Sequence, residues 1–244
     1  MGIGNVDNHT FLFKRSLEVV FFVLTLLLSY KQISIINMNC TLCSSELVNK
    51  KDDYYYECTV CMGIVKDEKY YLTAAEEKAR YETHNNDVND IRYQNFTSPI
   101  TNYVFDNFSP KHKGLDFGCG TGPVISSMLM KKNYEIVQYD PFFAPKHDLL
   151  DFMYNYIVSC EVFEHFYNPK KEINRLLSKL KDNGCLLIMT MLYNDSIDFN
   201  SWFYRNDPTH VFIYRKETIE YIAKVNKLQI DELTDRFIAF KKNN

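Results

Sequence analysis

From residue 113 to the C-terminus, apolar positions come alternately in short blocks and at helical spacing. The block ending in Leu115-Asp116-Phe117 predicts a buried strand. Glycines at 118, 120 and 122 follow it, and Pro123 opens an apolar run to Lys132 that predicts a helix. Tyr134–Tyr139 reads as a second strand ending in Asp140-Pro141, and Tyr156–Cys160 as another. Asn168-Pro169 is a cap followed by proline in the first turn, and Ile173, Leu176, Leu177 and Leu180 lie on one face of the helix it opens. Asp182-Asn183-Gly184 should end that helix before a buried strand, Cys185–Thr190. A last helix over 218–226 and a last strand over 236–241 complete the series. Strands alternating with helices predict an α/β fold, a largely parallel sheet with crossover helices.

Upstream the pattern changes. Strong helix formers run from Thr73 to about His84, and a weaker helix is expected from about Pro99 to Phe108. Residues 71–112 therefore read as a helical lid or linker, in which Tyr81, His84 and Asn85 are either lid residues or helix surface and caps. In the first 37 residues, Lys14-Arg15 precede an apolar run, Val19–Tyr30, broken only by Thr25 and Ser29. A spanning helix needs about 20 apolar residues, so this run is short for one. Two readings stand: an extension outside the fold, with Met38 as a natural start, or a membrane anchor over residues 11–36.

Hydrophobic content of 46% and charged content of 24% are ordinary for a globular protein. A formal net charge of −3 gives no bulk attraction to nucleic acid or anionic membranes. The seven cysteines change the picture more. Cys40-x-x-Cys43 and Cys58-x-x-Cys61, fourteen residues apart, are two turns that can each aim two thiolates at one metal. Together they make a closed Cys₄ site, so residues 38–70 read as a zinc ribbon with structural Zn²⁺. Paired free thiols point to a reducing, cytoplasmic setting. Cys119, Cys160 and Cys185 read as small buried residues.

Strand, glycine turn and helix start in succession suit a nucleotide-like ligand, but Pro123 stands where a dinucleotide fingerprint needs its last glycine. Asp140, eighteen residues past Gly122 and closing the next strand, can accept both ribose hydroxyls. Glu161, Glu164 and His165 would share one face if a helix starts there, as a cation site or as plain helix-start residues. Phe199, Trp202, Phe203 and Tyr204 crowd ahead of Asp207-Pro-Thr-His210, with Phe212 and Tyr214 after. They form either a stacking wall for a planar acceptor or core packing.

The runs Leu-Asp-Phe-Gly-Cys-Gly, Tyr-Asp-Pro, Cys-Glu-Val-Phe-Glu-His and Leu-Lys-Asp-Asn-Gly-Cys-Leu resemble consecutive motifs of class I S-adenosylmethionine (SAM) methyltransferases. The resemblance is nearest to the ubiquinone-biosynthesis quinol methylases and spans about residues 113–225. It implies a Rossmann-like sheet over 113–244 and SAM bound by Asp116, Gly118, Cys119, Gly120, Gly122 and Asp140. In that branch, and in metal-dependent small-RNA 2′-O-methyltransferases, Glu-x-x-Glu-His holds a divalent cation, and the RNA enzymes add a later histidine. The matching set here is Glu161, Glu164, His165 and His210, for Mg²⁺ or Mn²⁺, with His165 or His210 as base if no metal is held. Only sixteen residues separate Asp140 from Ile157, so the third strand and its helix must be shortened or missing. Asn155 stands where relatives often carry Asp. The resemblance implies an O-directed methyltransferase acting on a small molecule. The alternatives are an RNA methyltransferase gripping its substrate with the ribbon, and a SAM-binding module without turnover that recruits a partner.

Overall fold

The computed structural model describes Met1 and residues 38–83 and 86–243. The apolar run at 19–30 and the lid candidates His84 and Asn85 lie outside the described residues. Residues 38–244 form one compact unit. It opens with three short strands: β1 (Asn49–Lys50), β2 (Tyr55–Glu57) and β3 (Ile64–Lys66). Helix α1 (Ala74–Glu82) begins at a capping box in which Thr73 and Glu76 satisfy each other's backbone N–H groups.

Helix α2 spans Ile91–Asn107 and starts eight residues before the proline expected to open it. Asp90 caps it through the Arg92 N–H at 2.9 Å. Pro99 has no N–H for the Asn95 carbonyl one turn back, and the Ser98 hydroxyl donates to that carbonyl instead, at 2.8 Å. The helix therefore runs through its proline.

The larger sheet and its helices follow: β4 (Lys113–Phe117), α3 (Val124–Met130), β5 (Glu135–Tyr139), β6 (Tyr154–Cys160), α4 (Pro169–Ser178) and β7 (Leu180–Met189). Then come the four-residue α5 (Phe203–Asn206), β8 (Phe212–Ile213), α6 (Lys216–Asn226), β9 (Leu228–Leu233) and β10 (Phe237–Lys242). The six-stranded sheet has the order β5-β4-β6-β7-β10-β9. Its first four strands are parallel, and β10 is antiparallel to both β7 and β9. Among the described residues no strand flanks β5 on its outer side. Between Asp140 and β6 there is only a 3₁₀ turn, His147–Asp151. The expected shortening is real, and it leaves β5 as an edge.

One expectation needs correction, and two strands go beyond what the sequence predicts. The Asp182-Asn183-Gly184 turn does not separate helix from strand. It is a bulge inside β7, with Asn183 left-handed at φ 59° and the register jumping between Tyr154↔Leu180 and Tyr156↔Cys185. Strand β9 carries alternating half-buried positions too weak to read from sequence. Strand β8 joins the ribbon rather than the large sheet, giving a four-stranded sheet β1-β2-β3-β8. That pairing requires glycine at 63, where a Cβ would stand 2.3 Å from the Phe212 ring.

Candidate active site

The end of β4 and the glycine turn form one half of the site. Gly118 and Gly120 have φ of +77° and +61°, values at which side chains are strained. A Cβ on Gly118 would meet Val162 at 2.4 Å, so the turn packs directly against the segment after β6. A Cβ on Gly120 would meet nothing within 4 Å, because Gly120 faces a cavity of about 1110 Å³. A cleft for one drug-sized ligand holds about 300–1,000 Å³, so this one has room for a cofactor and an acceptor.

Of the residues expected at the cofactor, Gly118, Cys119, Gly120 and Asp140 line the cavity. Asp116 sits beneath the turn, where its Oδ2 accepts from the Ser126 hydroxyl at 2.7 Å and ties α3 to β4. Burial pushes the Asp116 carboxyl up to about 6. Gly122 packs against the backbone of Asn86, whose carbonyl would lie 1.8 Å from an added Cβ. Asp140 accepts from the Gly120 N–H at 3.0 Å through Oδ2, and from the Phe142 and Phe143 N–H groups at 2.8 and 3.0 Å through Oδ1. Three of about four acceptor positions of the carboxylate are thus occupied, leaving room for one ribose hydroxyl rather than two. Asn155 is at the far, amino end of β6, accepting from the Lys113 N–H at 3.0 Å.

The other half of the site is built differently from the expected helical face. Glu161 is left-handed, φ 53°, with its N–H held by the Met189 carbonyl at 2.8 Å. Only a 3₁₀ turn, Phe163–His165, follows. The Glu164 carbonyl accepts from the Val211 N–H at 2.8 Å, and this bond brings His210 alongside. Glu164 Oε1 then lies 3.8 Å from His165 Nε2 and 4.0 Å from His210 Nε2. Glu161 stands outside this three-residue cluster.

The hydrogen bonds around the cluster decide which atoms face inward. His165 Nδ1 lies 3.1 Å from the Thr209 carbonyl and His210 Nδ1 lies 2.7 Å from the Tyr204 carbonyl. A carbonyl only accepts, so each Nδ1 carries the proton and each Nε2 presents a lone pair. Burial holds both imidazoles below their usual range, His210 down to about 3, so both are neutral. Glu164 is fully buried, and its Oε1 has no hydrogen-bond partner. Its other oxygen accepts from Thr190 Oγ1 at 2.9 Å. Burial pushes Glu164 up to about 7, and burial followed by the nearby Glu164 charge pushes Glu161 up to about 8.

The crowded aromatics are mostly core. Phe199, Trp202 and Tyr204 form a buried cluster with Tyr55, Ile64, Tyr193 and Ile213, while Phe212 and Tyr214 belong to the main core. Only Phe203 and Tyr204 of the set reach the cavity, and Phe203 is exposed. Tyr204 has a role that aromatic spacing did not reveal: its hydroxyl lies 2.9 Å from Thr190 Oγ1, beside both glutamates. From α1, Tyr81 sets its ring edge-on to His165, centroids 5.2 Å apart, and donates to Glu77 at 2.6 Å.

The four cysteines converge as their spacing implies, with all four Sγ atoms within 4.8 Å of one another. The two turns repeat one another bond for bond. The Ser44 N–H bonds to the Cys40 carbonyl at 2.8 Å and the Met62 N–H to the Cys58 carbonyl at 3.0 Å, and Ser44 and Met62 are both left-handed, φ 66° and 60°. Four soft thiolates in one tetrahedral-sized cluster fit a structural zinc ion.

Residues 90–233, more than half of the chain, match the model of the methyltransferase domain family. The chain belongs to the class I SAM-dependent methyltransferases. No curated protein matches its sequence. Among solved structures, this methyltransferase is similar to magnesium protoporphyrin IX methyltransferase from Synechocystis, with 14% identity over 72% of this chain and 97% of that one, TM-score 0.48. It is also similar to an O-methyltransferase family protein from Burkholderia thailandensis, with 13% identity over 69% and 63% of the two chains, TM-score 0.46. YcgJ from Bacillus subtilis gives 18% identity over 56% and 69%, TM-score 0.41. Within the described residues, no helix of the methyltransferase is long and apolar enough to cross a membrane.

Proposed function

We propose that this methyltransferase methylates a hydroxyl of a small molecule with the help of a divalent cation held by Glu164, His165 and His210. The observation that carries the proposal is the convergence of three lone-pair atoms, Glu164 Oε1 and two Nε2, with no proton among them to share once Glu164 ionises. Such a set is mutually repulsive when empty and becomes favourable around a cation. Each ligating histidine also has its Nδ1–H anchored on a backbone carbonyl, as metal-binding histidines commonly do. Two imidazoles and one carboxylate suit Mn²⁺ better than Mg²⁺, which prefers oxygen ligands. Glu161, left out of the cluster, would serve as an outer acidic group through Tyr204.

SAM supplies a sulfonium methyl for an in-line displacement, and the bound cation would lower the acceptor hydroxyl's pKa. The chain's own residues do the remainder. Gly118, Gly120 and Asp140 hold the donor at one end of the cavity. Tyr204 and Thr190 orient Glu164. Tyr81 and Phe203 screen the acceptor end from water. The neutral imidazoles accept the acceptor's proton if no metal is held. The ribbon's charge does not favour an RNA acceptor: its exposed charged residues are Glu46, Asp53 and Glu68 against Lys50 and Lys69, with no basic excess.

Calorimetric titration tests this reading. Mn²⁺ should bind at about one equivalent beyond zinc, more tightly than Mg²⁺, and His210→Ala should weaken it at least tenfold. Absence of Mn²⁺ binding to the intact chain would remove the cation and leave His165 or His210 as general base.

A further inference from the structure

The ribbon is fused to the active site rather than appended to it. Strand β3 pairs with β8 through Ile64↔Ile213 and Val65↔Phe212, immediately after His210. The Lys66 N–H continues that ladder to the Val211 carbonyl at 2.9 Å. Two ribbon side chains then reach past the ladder. The Tyr55 hydroxyl donates to the His210 carbonyl at 2.8 Å, and Lys66 Nζ donates to the Pro208 carbonyl at 2.6 Å. Both residues are buried, Tyr55 at 1% and Lys66 at 6% exposure. A buried ammonium is costly, and a lysine held this way has no carboxylate within ion-pair distance among the described residues. Further out, Arg205 bonds Asp52 through Nε at 2.9 Å, and Arg215 pairs with Glu57. The ribbon therefore grips the segment from Arg205 to Arg215 on both sides of His210.

The cofactor half shares an apolar core with the ribbon but, among the described residues, no hydrogen bond with it. Gly118, Gly120 and Asp140 are held by β4, β5 and the 142–143 turn, none of which is bonded to the ribbon.

We propose that the ribbon forms the rear wall of the acceptor half of the site, and that Tyr55 and Lys66 are positioning residues that set the His210 imidazole against Glu164. The carbonyls of Pro208 and His210 lie on either side of the histidine along the chain. Holding both fixes the backbone from which the imidazole reaches the Tyr204 carbonyl through Nδ1 and Glu164 through Nε2. This rests on the reading of Glu164, His165 and His210 as a cation site, and it predicts a separation that a general stabilising role does not. Loss of either contact should damage metal binding and spare the donor site.

The test uses the full chain with Tyr55→Phe and, separately, Lys66→Met. The first removes one oxygen and the second keeps the aliphatic stem, so neither opens the core. Zinc content and affinity for S-adenosylhomocysteine (SAH) report folding, Mn²⁺ electron paramagnetic resonance reports the acceptor half, and ¹⁵N shifts of the His210 ring report its tautomer. The expected result is Mn²⁺ affinity lowered about 10- to 100-fold, as for outer partners of metal ligands. SAH affinity should stay within twofold and zinc at one per chain, and the His210 shifts should move from the Nδ1–H form toward tautomer averaging. Unchanged Mn²⁺ affinity and unchanged ring shifts in both variants would overturn the proposal, as would equal losses at the SAH and Mn²⁺ sites. If the unsubstituted chain binds no Mn²⁺, the cation reading fails by itself, and the ring shifts alone decide whether Tyr55 and Lys66 position His210.

Discussion

Gly118 and Gly120 share a left-handed φ but differ in what an added Cβ would meet, and this separates their effects. Gly118→Ala forces a Cβ to 2.4 Å from Val162 at a left-handed φ, so it should cost about 2–4 kcal/mol of stability through strain and overpacking. Gly120→Ala meets open space and should cost only about 1 kcal/mol, yet its methyl enters the cavity and should weaken SAH binding. Thermal unfolding and SAH titration of the two variants check the reversal of order. Glu164 makes a second prediction. Burial keeps its carboxyl protonated up to about pH 7, and a cation can bind only after that proton leaves. Mn²⁺ affinity should therefore rise as pH rises from 6, by up to about tenfold per unit while one proton is displaced, and level off once Glu164 is ionised, above about pH 7. An affinity flat across that interval, read by titration in non-coordinating buffers, would contradict the buried neutral carboxyl.

At the scale of elements, the informative joint is β3 against β8. Gly63 admits the Phe212 ring at a distance no side chain allows, and Phe212 is fully buried with nowhere to turn. Gly63→Ala should part the two strands at a cost of about 1–3 kcal/mol, seen as a lowered Tm. Because β4 and β5 are untouched, SAH binding at low temperature should persist. Helix α4 offers a local contrast. Asn168 accepts from the Lys171 N–H at 2.9 Å, and Asn168→Ala should cost about 1 kcal/mol of stability with no effect on Mn²⁺ affinity.

At the scale of the whole molecule, the described residues make two sheets, the smaller of which takes its fourth strand, β8, from the segment after His210 and lies beside the Cys₄ cluster. Withdrawal of zinc by a strong chelator should raise amide exchange in residues 38–66 and 205–214 together, while β4 and β6 stay protected. Exchange confined to the ribbon would show that the joint does not transmit.

Local order was legible because its causes are local. The glycine turn, the two cysteine turns, the Asn168-Pro169 helix start and the buried strand blocks each occupy a few consecutive residues. The count of sixteen residues between Asp140 and Ile157 alone showed that the third strand and its helix must be shortened or missing. Helix α2 was misread because a side chain, Ser98, replaces the hydrogen bond that Pro99 removes. Glu161 was misread because its left-handed backbone is imposed by β7, a neighbour in space. The sequence by itself determined the methyltransferase architecture, the four-cysteine cluster and which residue types stand near the chemistry. Only the tertiary structure decided that Glu164, His165 and His210 meet without Glu161, and that Tyr55 holds a histidine 155 residues away. Periodicity and spacing describe what neighbours along the chain can do, whereas a site assembled across two sheets depends on contacts that no stretch of chain contains.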